Sequence, residues 1–453
     1  VNVLFIISDE HKRDVTGCYG HPIVKTPALD RLAAGGVLFE NAYCQEPICG
    51  PSRASLLTGT YPHTCNAFSH RPKHVLRDLP TLGSVFRDAG YATAAIGKLH
   101  VRGEDKTSRD LGFDDRPLRF YTYGGQDYID AVGVENADRY ASHRRGSTIV
   151  NAGKYNPTNE PVSMAEELMY DNLVTDLAIE YLERRKDEPF FAWVGLEKPH
   201  PQWYAPARFH EMYDPNDVQL PESRNEVRRN LPKHYMERVT GEQTRSMTDE
   251  ESRACHAAYF ANVSYMDMNA GRILDAVERL GLAENTLVVY TSDHGELLLE
   301  HNLYQKHCLY EPAAAVPLIV SCPAKLPRGE RRPAIVGLID LFPTFCELTG
   351  VRPPEGLEGE SLVPILDGLD DGAQRVAFSE MYMKTGAPER MIRSGPWKYI
   401  YTHGDLAQLY HRERDPSETE NLAVLPEHAE LCEQFKARVL DGWEVDTFDI
   451  DPE

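Results

Sequence analysis

No apolar run in this chain approaches the ~20 residues that a membrane-spanning helix needs, so no membrane partner is expected. Positive charge is scarce: 48 Lys and Arg face 70 Asp and Glu, a formal net charge of −22. A surface of that sign repels phosphate backbones and anionic lipid headgroups, which excludes nucleic acid as an expected partner too. The nine cysteines contain no Cys-x-x-Cys pair, so the spacing of a structural zinc site is missing, and their odd number rules out a fully paired disulfide framework. Reduced thiols in a cytoplasm are the expectation; export, with one bridge and a trimmed leader, is the alternative. Internal repeats and low-complexity tracts are absent, which excludes solenoids and linker-like chains.

What is present is a globular chain too long for one compact core. At 453 residues it predicts two or three domains. Apolar strand-like runs occur at 3–8, 37–43, 91–96, 190–196, 286–291 and 316–321. Between them lie helical patterns at 26–32, 82–88, 164–186, 251–280 and 338–348. This alternation predicts an α/β fold with a parallel sheet covered by helices on both faces, over residues 1–352. After Pro353-Pro354 come short strands at 375–381, 390–393 and 397–401 and a helix over 426–443, predicting a smaller C-terminal α+β domain, 353–453, with an antiparallel sheet. The polar, poorly periodic stretches 101–160 and 205–245 read as loops, where specificity tends to reside.

The stretch Cys49-Gly50-Pro51-Ser52-Arg53-Ala54-Ser55-Leu56-Leu57-Thr58-Gly59 reads as a turn feeding a helix. Pro51 suits the first turn, Ser52 is a candidate cap, and Leu56 and Leu57 supply an apolar face. Cys49 is then at the positive end of a helix dipole with Arg53 one turn on, a setting that lowers a thiol's pKa and attracts anions. Four polar clusters follow predicted strands: Asp9-Glu10, Lys98-Leu99-His100, Lys198-Pro199-His200 and Asp293-His294. In open α/β sheets, ligands collect beyond these carboxyl ends. Asp9, Glu10 and Asp293 offer oxygens and His294 an imidazole, a set that suits Ca2+, Mg2+ or Mn2+. Arg53, Lys98 and Lys306 would supply the local positive charge that an anionic substrate needs on so acidic a protein. A cysteine hydrolase pairing Cys49 with His100 or His200 explains the thiol but not the acids. An ordinary buried cysteine beside an ordinary helix start is the plainer reading of the thiol.

Cys-x-Pro-Ser-Arg followed by Thr-Gly resembles the signature of the type I, formylglycine-dependent sulfatases of the alkaline phosphatase superfamily. The resemblance extends over most of the chain. It includes Gly17-Cys18-Tyr19-Gly20-His21-Pro22 after Asp9-Glu10, Gly97-Lys98-Leu99-His100, Lys198-Pro199-His200, Thr291-Ser292-Asp293-His294-Gly295, Lys306, Asp340-Leu341-Phe342-Pro343-Thr344 and Trp397-Lys398-Tyr399. It implies an alkaline phosphatase-like fold, a large mixed, mostly parallel sheet sandwiched by helices, and conversion of Cys49 to formylglycine by a formylglycine-generating enzyme. It also implies one divalent metal ion, Ca2+ first and Mg2+ or Mn2+ next, held by Asp9, Glu10, Cys49, Asp293 and His294. The catalytic group it implies is Cys49, Arg53, Lys98, His100, His200 and Lys306. In the mechanism it carries, one oxygen of the hydrated aldehyde attacks sulfur, and His200, with Lys306, protonates the departing alcohol. His100 then deprotonates the second hydroxyl, and sulfate is expelled as the aldehyde reforms. Two departures stand out: Glu10 replaces the family's usual second Asp, and His294 stands where some members carry Asn.

The implied activity is hydrolysis of a sulfate monoester. Lys198-Pro199-His200 resembles carbohydrate sulfatases, making a sulfated sugar the first expectation and a small organic alcohol the second. His63, His70, Arg71, Trp203 and Tyr204 follow site motifs and are candidates to touch that alcohol. A phosphonate or phosphate diester hydrolase would share the site, but such relatives typically lack the Lys and His of Gly-Lys-x-His. A non-catalytic binder of sulfated glycans, with Cys49 unmodified, is the reading from another class. An oligomer is left open.

Overall fold

The computed structural model describes residues 1–68, 78–101, 111–118, 130–131, 133, 165–225, 230–240, 247–382 and 387–448. Seven strands form the larger sheet: β1 (Asn2–Asp9), β2 (Val37–Tyr43), β3 (Ala92–Gly97), β4 (Phe190–Pro199), β5 (Thr286–Ser292), β6 (Ala315–Ser321) and β7 (Glu330–Gly337). Their order is β3-β4-β1-β5-β6-β2-β7. All neighbours run parallel except at β6, which opposes both β5 and β2. The sheet is thus mixed and mostly parallel, as its apolar strands imply.

Alternation along β1 divides the core in two. Leu4 and Ile6 face a cluster built with the helices Pro27–Ala34, Tyr170–Arg185 and Asp249–Arg279. Val3, Phe5 and Ile7 face another, with Phe86, Leu341, Phe342 and Phe345. Helices therefore cover both sides, and the central strands β1, β4 and β5 are buried along their whole length on both faces. The 31-residue helix Asp249–Arg279 starts in a capping box between Thr248 and Glu251. No described helix is long and apolar enough to cross a membrane. All nine cysteines are free thiols.

The second sheet is antiparallel, β11-β10-β9-β8, from β8 (Val376–Met381), β9 (Glu389–Ser394), β10 (Trp397–Thr402) and β11 (Gln408–His411). The helix Ala429–Leu440 lays Phe435 and Val439 on Ile392, Tyr399 and Leu409.

Several elements differ from expectation. β7 was not foreseen: it opens Glu330-Arg331-Arg332-Pro333 at the exposed sheet edge, where proline is tolerated. β11 is only four residues long. The helical pattern over 164–186 resolves into a 3-10 turn, Glu166–Leu168, and a helix beginning at Tyr170. Within the stretch 205–245, short helices stand at Ala207–His210 and Lys233–Thr240. Most of the stretch 101–160 lies outside the described residues.

Candidate active site

Strand order explains why four polar clusters distant in sequence meet. β3, β4, β1 and β5 are consecutive and parallel, so their carboxyl ends lie side by side. Asp9 ends β1, Asp293 follows β5, Lys98 follows β3, and His200 follows β4. The β3–β4 end is tight: a Cβ on Gly195 would fall 1.9 Å from the Lys98 carbonyl oxygen. Only glycine lets the two backbones approach this way.

The helix Cys49–Thr58 enters this end of the sheet with Cys49 as its first residue. The expected cap and amphipathic face are both corrected. Ile48 is the N-cap and gives no side-chain bond, whereas Ser52 Oγ donates to the Asp293 carbonyl at 2.5 Å. Cys49 and residues 51–58 are all buried, so the helix is enclosed on every side rather than on the Leu56-Leu57 face alone.

Cys49 Sγ is 3.1 Å from His294 Nε2 and 3.5 Å from both Asp9 Oδ1 and Lys306 Nζ. His294 Nδ1 donates to the Gly295 carbonyl at 2.9 Å, which leaves Nε2 to face the sulfur. Donor atoms of Asp9, Cys49, Asp293 and His294 all lie within 4.8 Å of one another. Glu10 is not in that group. Its carboxylate accepts from Lys306 Nζ at 2.6 Å and lies 3.7 Å from His200 Nε2, while its backbone N–H donates to Asp293 Oδ1. The expected five-residue ligand set is thus gathered as four, with Glu10 in a second group beside Asp9 and His200.

Arg53 is completely buried and faces the acids. Nε donates to Asp293 Oδ2 at 2.7 Å, Nη2 to Asp9 Oδ2 at 3.2 Å, and Nη1 to the Lys98 carbonyl at 2.6 Å. The positive charge expected of Arg53 is thus at the site, where these donors orient the carboxylates. Lys98 Nζ also pairs with Asp9 Oδ2 at 2.6 Å. His200 is the more open group, its side chain 21% exposed. Its Nδ1 donates to the Pro201 carbonyl at 2.6 Å, so Nε2 is the nitrogen directed to the acids. His100 has a left-handed backbone, φ 58°, and its side chain hydrogen-bonds to Cys49.

The electrostatics follow from this packing. Burial raises the Cys49 thiol's pKa, but Lys306, Lys98 and His294 overcome it and hold it well below the usual thiol range. Burial likewise opposes the charge on Asp9, yet Lys98, His200 and Arg53 keep its carboxylate well below the ordinary value. Burial pushes Asp293 up to about 7 against the pull of Arg53, and Glu10 up to about 7 against Lys306. Burial works against a charged His294, but Asp293 and Cys49 push it up to about 9. Lys306 is also raised: burial lowers it, and Cys49 and Glu10 more than compensate. Two ionised or ionisable carboxylates, an imidazole and residue 49 fit a divalent cation. Glu10 Oε1 beside them is buried without a hydrogen-bond partner.

Some contributors were not read from sequence. Glu296 is fully buried beside Glu10 and accepts from Leu298 N and Gln305 N; its place two residues after His294 was the only clue. Asp171 accepts from Glu197 N and Lys198 N, fixing the end of β4. Lys198 Nζ donates to the Gln202 carbonyl and lies 3.8 Å from the Tyr204 ring centroid. Trp203 and Tyr204, expected as substrate contacts, are instead in the core, 2% and 1% exposed. His63 is bound to Glu380 through Nδ1 at 2.7 Å, and His70 and Arg71 lie outside the described residues.

Comparison with known proteins agrees in fold and in sequence. The family model described as Sulfatase matches residues 1–351, and that described as N-sulphoglucosamine sulphohydrolase, C-terminal, matches residues 299–444. A choline-sulfatase of Rhizobium meliloti (strain 1021) is 29% identical over 468 residues, covering 99% of this chain and 88% of its own. The phosphonate monoester hydrolase of Agrobacterium radiobacter superposes with a TM-score of 0.84 at 23% identity, over 97% of this chain and 95% of its own. A protein solved with its substrate D-glucosamine-2-N,6-O-disulfate superposes with a TM-score of 0.80 at 24% identity, over 100% and 99%. At such identities the two structural likenesses speak for the fold.

Proposed function

The chain belongs to the sulfatase family of the alkaline phosphatase superfamily, whose members are sulfuric ester hydrolases, and from that premise we propose that it cleaves a sulfate monoester with residue 49 as formylglycine and one divalent cation. The observation that carries this reading is the position of Cys49 Sγ, between His294, Asp9 and Lys306 at the start of a buried helix. A bound cation, Ca2+ first and Mg2+ or Mn2+ next, would polarise the sulfate oxygens and neutralise charge there. Asp9, Asp293 and His294 would hold it with the oxygen of residue 49. Arg53 would keep the two carboxylates in place.

Lys306 stays an ammonium beside Glu10 and would bind the sulfate by charge. Lys98 on Asp9 adds a second cation. The proton for the departing alcohol then falls to His200 Nε2, whose Nδ1 is committed to the Pro201 carbonyl. His100, hydrogen-bonded to residue 49, would take the proton of its second hydroxyl and release sulfate. Maturation requires a formylglycine-generating enzyme as a transient partner.

For the alcohol half we propose a sugar. Support comes from the Lys198-Pro199-His200 element and from the structural neighbour that holds a glucosamine disulfate. A phosphonate or phosphate diester would reach the same nucleophile, and a neighbouring fold hydrolyses phosphonate monoesters. Lys98 and His100 at residue 49 favour sulfate. The test is a panel of sulfated mono- and disaccharides, choline sulfate, an aryl sulfate and a phosphonate monoester. At least one sulfate ester should be turned over faster than the phosphonate by kcat/KM. The reverse ranking would overturn the assignment.

A further inference from the structure

Lys306 stands on irregular backbone between a 3-10 turn (Glu300–Asn302) and the short helix Glu311–Ala314. Its ammonium nonetheless reaches a buried site with two defined contacts. Six of the ten residues from Leu298 to His307 are non-glycine residues in the left-handed region: Leu298, Leu299, His301, Asn302, Gln305 and His307, with φ between 44° and 73°. Each such residue is strained, so a segment of this kind persists only where its surroundings over-determine it.

One side chain spans both ends of that segment. Glu296 Oε1 accepts from Leu298 N at 2.9 Å and from Gln305 N at 2.5 Å, the residue just before Lys306. Leu297 N donates to the Gln305 carbonyl at 2.7 Å, closing the neck beside it. The same carboxyl lies beside Glu10, whose charge it opposes, and Glu10 Oε2 in turn receives Lys306 Nζ at 2.6 Å. A ring results: Glu296 holds the backbone that carries Lys306 and also abuts the carboxylate that receives its ammonium. We propose that Glu296 is the positioning residue of Lys306, fixing at once the loop that delivers the ammonium and the partner that aims it at the sulfate. Glu296 touches no reacting atom. Its role rests on the reading of Lys306 as the sulfate-binding cation.

Glu296→Gln keeps an oxygen for both amides and presents an N–H to Glu10. Glu296→Ala loses both links. Inorganic sulfate binding by calorimetry and turnover of an alkyl sulfate are measured for both variants, and for each combined with Lys306→Ala. Glu296→Ala should weaken sulfate binding about 10-fold and turnover about 100-fold, with both losses shrinking below about 3-fold in the Lys306→Ala background. Glu296→Gln should remain within about 3-fold of the parent. Equal losses in both backgrounds, or a Glu296→Gln as impaired as Glu296→Ala, would overturn the proposal. Should Glu296→Ala fail to fold, Glu296→Asp replaces it, one methylene too short for both amides, and is read the same way. A protein that cleaves no sulfate ester, yet shows the coupled loss of sulfate binding, would end the sulfatase reading and leave this one standing.

Discussion

Arg53 Nε donates to Asp293 Oδ2 at 2.7 Å although the two residues are 240 positions apart and both side chains are fully buried. The same guanidinium reaches Asp9, so one cation orients two acids from neighbouring strands. Taking it away leaves those acids desolvated and uncompensated by it. Arg53→Ala should therefore lower unfolding free energy by about 3–5 kcal/mol, and Arg53→Lys, which lacks the planar fork, should recover only part. Urea unfolding measures both. A loss below about 1 kcal/mol for Arg53→Ala would show that the pair does not organise the site.

Residue 49 should behave in the opposite way. It is buried at the site, but its sulfur packs against polar groups rather than apolar core. Cys49→Ala should cost about 1 kcal/mol of stability or less while reducing kcat by roughly 10⁴-fold or more. Retained turnover would remove Cys49 as nucleophile. In active parent enzyme, the tryptic peptide carrying residue 49 should be lighter by roughly 18 mass units, the exchange of a thiol for an aldehyde. Cys49→Ser should accumulate one SO3 group by mass spectrometry and stall, since a sulfated serine has no second hydroxyl to expel it.

Much of this site was legible because it is built from short local patterns. Asp9, Lys98, His200 and Asp293 each follow an apolar strand, and a polar residue at that boundary is visible without knowing the strand order. Their convergence needed the order β3-β4-β1-β5, which no local pattern carries. Arg53 was legible as a cation, but not as one facing inward: helical spacing places it a turn beyond Cys49 and says nothing of the acids behind it. Trp203 and Tyr204 misled for a related reason. An aromatic after a polar motif can face either solvent or core, and packing against the 249–279 helix puts Trp203 on Tyr259. β7 was hidden by its charged, proline-bearing first half, and Glu296 by a loop with no periodicity. The helix-covered sheet was legible from the alternation of strands with helices, and the antiparallel C-terminal sheet from short strands separated by turns.

The cluster of Asp9, Asp293, His294 and residue 49 should bind its cation only when folded, because its members come from three separate segments. Metal removal by a chelator should then abolish turnover and lower Tm, with both restored by the cognate ion. Asp293→Ala should lose bound metal and activity together. Elemental analysis that found the metal content of Asp293→Ala unchanged would remove Asp293 from the ligand set. Restoration by Mg2+ or Mn2+ but not Ca2+ would replace calcium as first candidate.

Acid sensitivity should come in part from a histidine remote from the reacting atoms. His256, on the long helix, is 3% exposed, donates Nδ1–H to the Ser252 carbonyl at 2.8 Å, and packs edge-on to Phe260 and Tyr304. Burial pushes its pKa down to about 4, and nearby Lys12 and Arg224 act in the same direction. The sign follows from proton binding. Below the ordinary value near 6.5 the unfolded chain takes up a proton that the folded chain refuses, until about pH 4. The stabilisation this neutral imidazole contributes is thus fully present above about pH 6.5 and is lost as pH falls toward 4. Between pH 7 and pH 5 the parent should lose about 2 kcal/mol from this group alone. His256→Gln keeps a donor for Ser252 and cannot titrate, so its unfolding free energy should fall less over that interval. Urea titrations of both proteins at the two pH values give the difference directly, and parallel losses in parent and variant would clear His256 of the acid response.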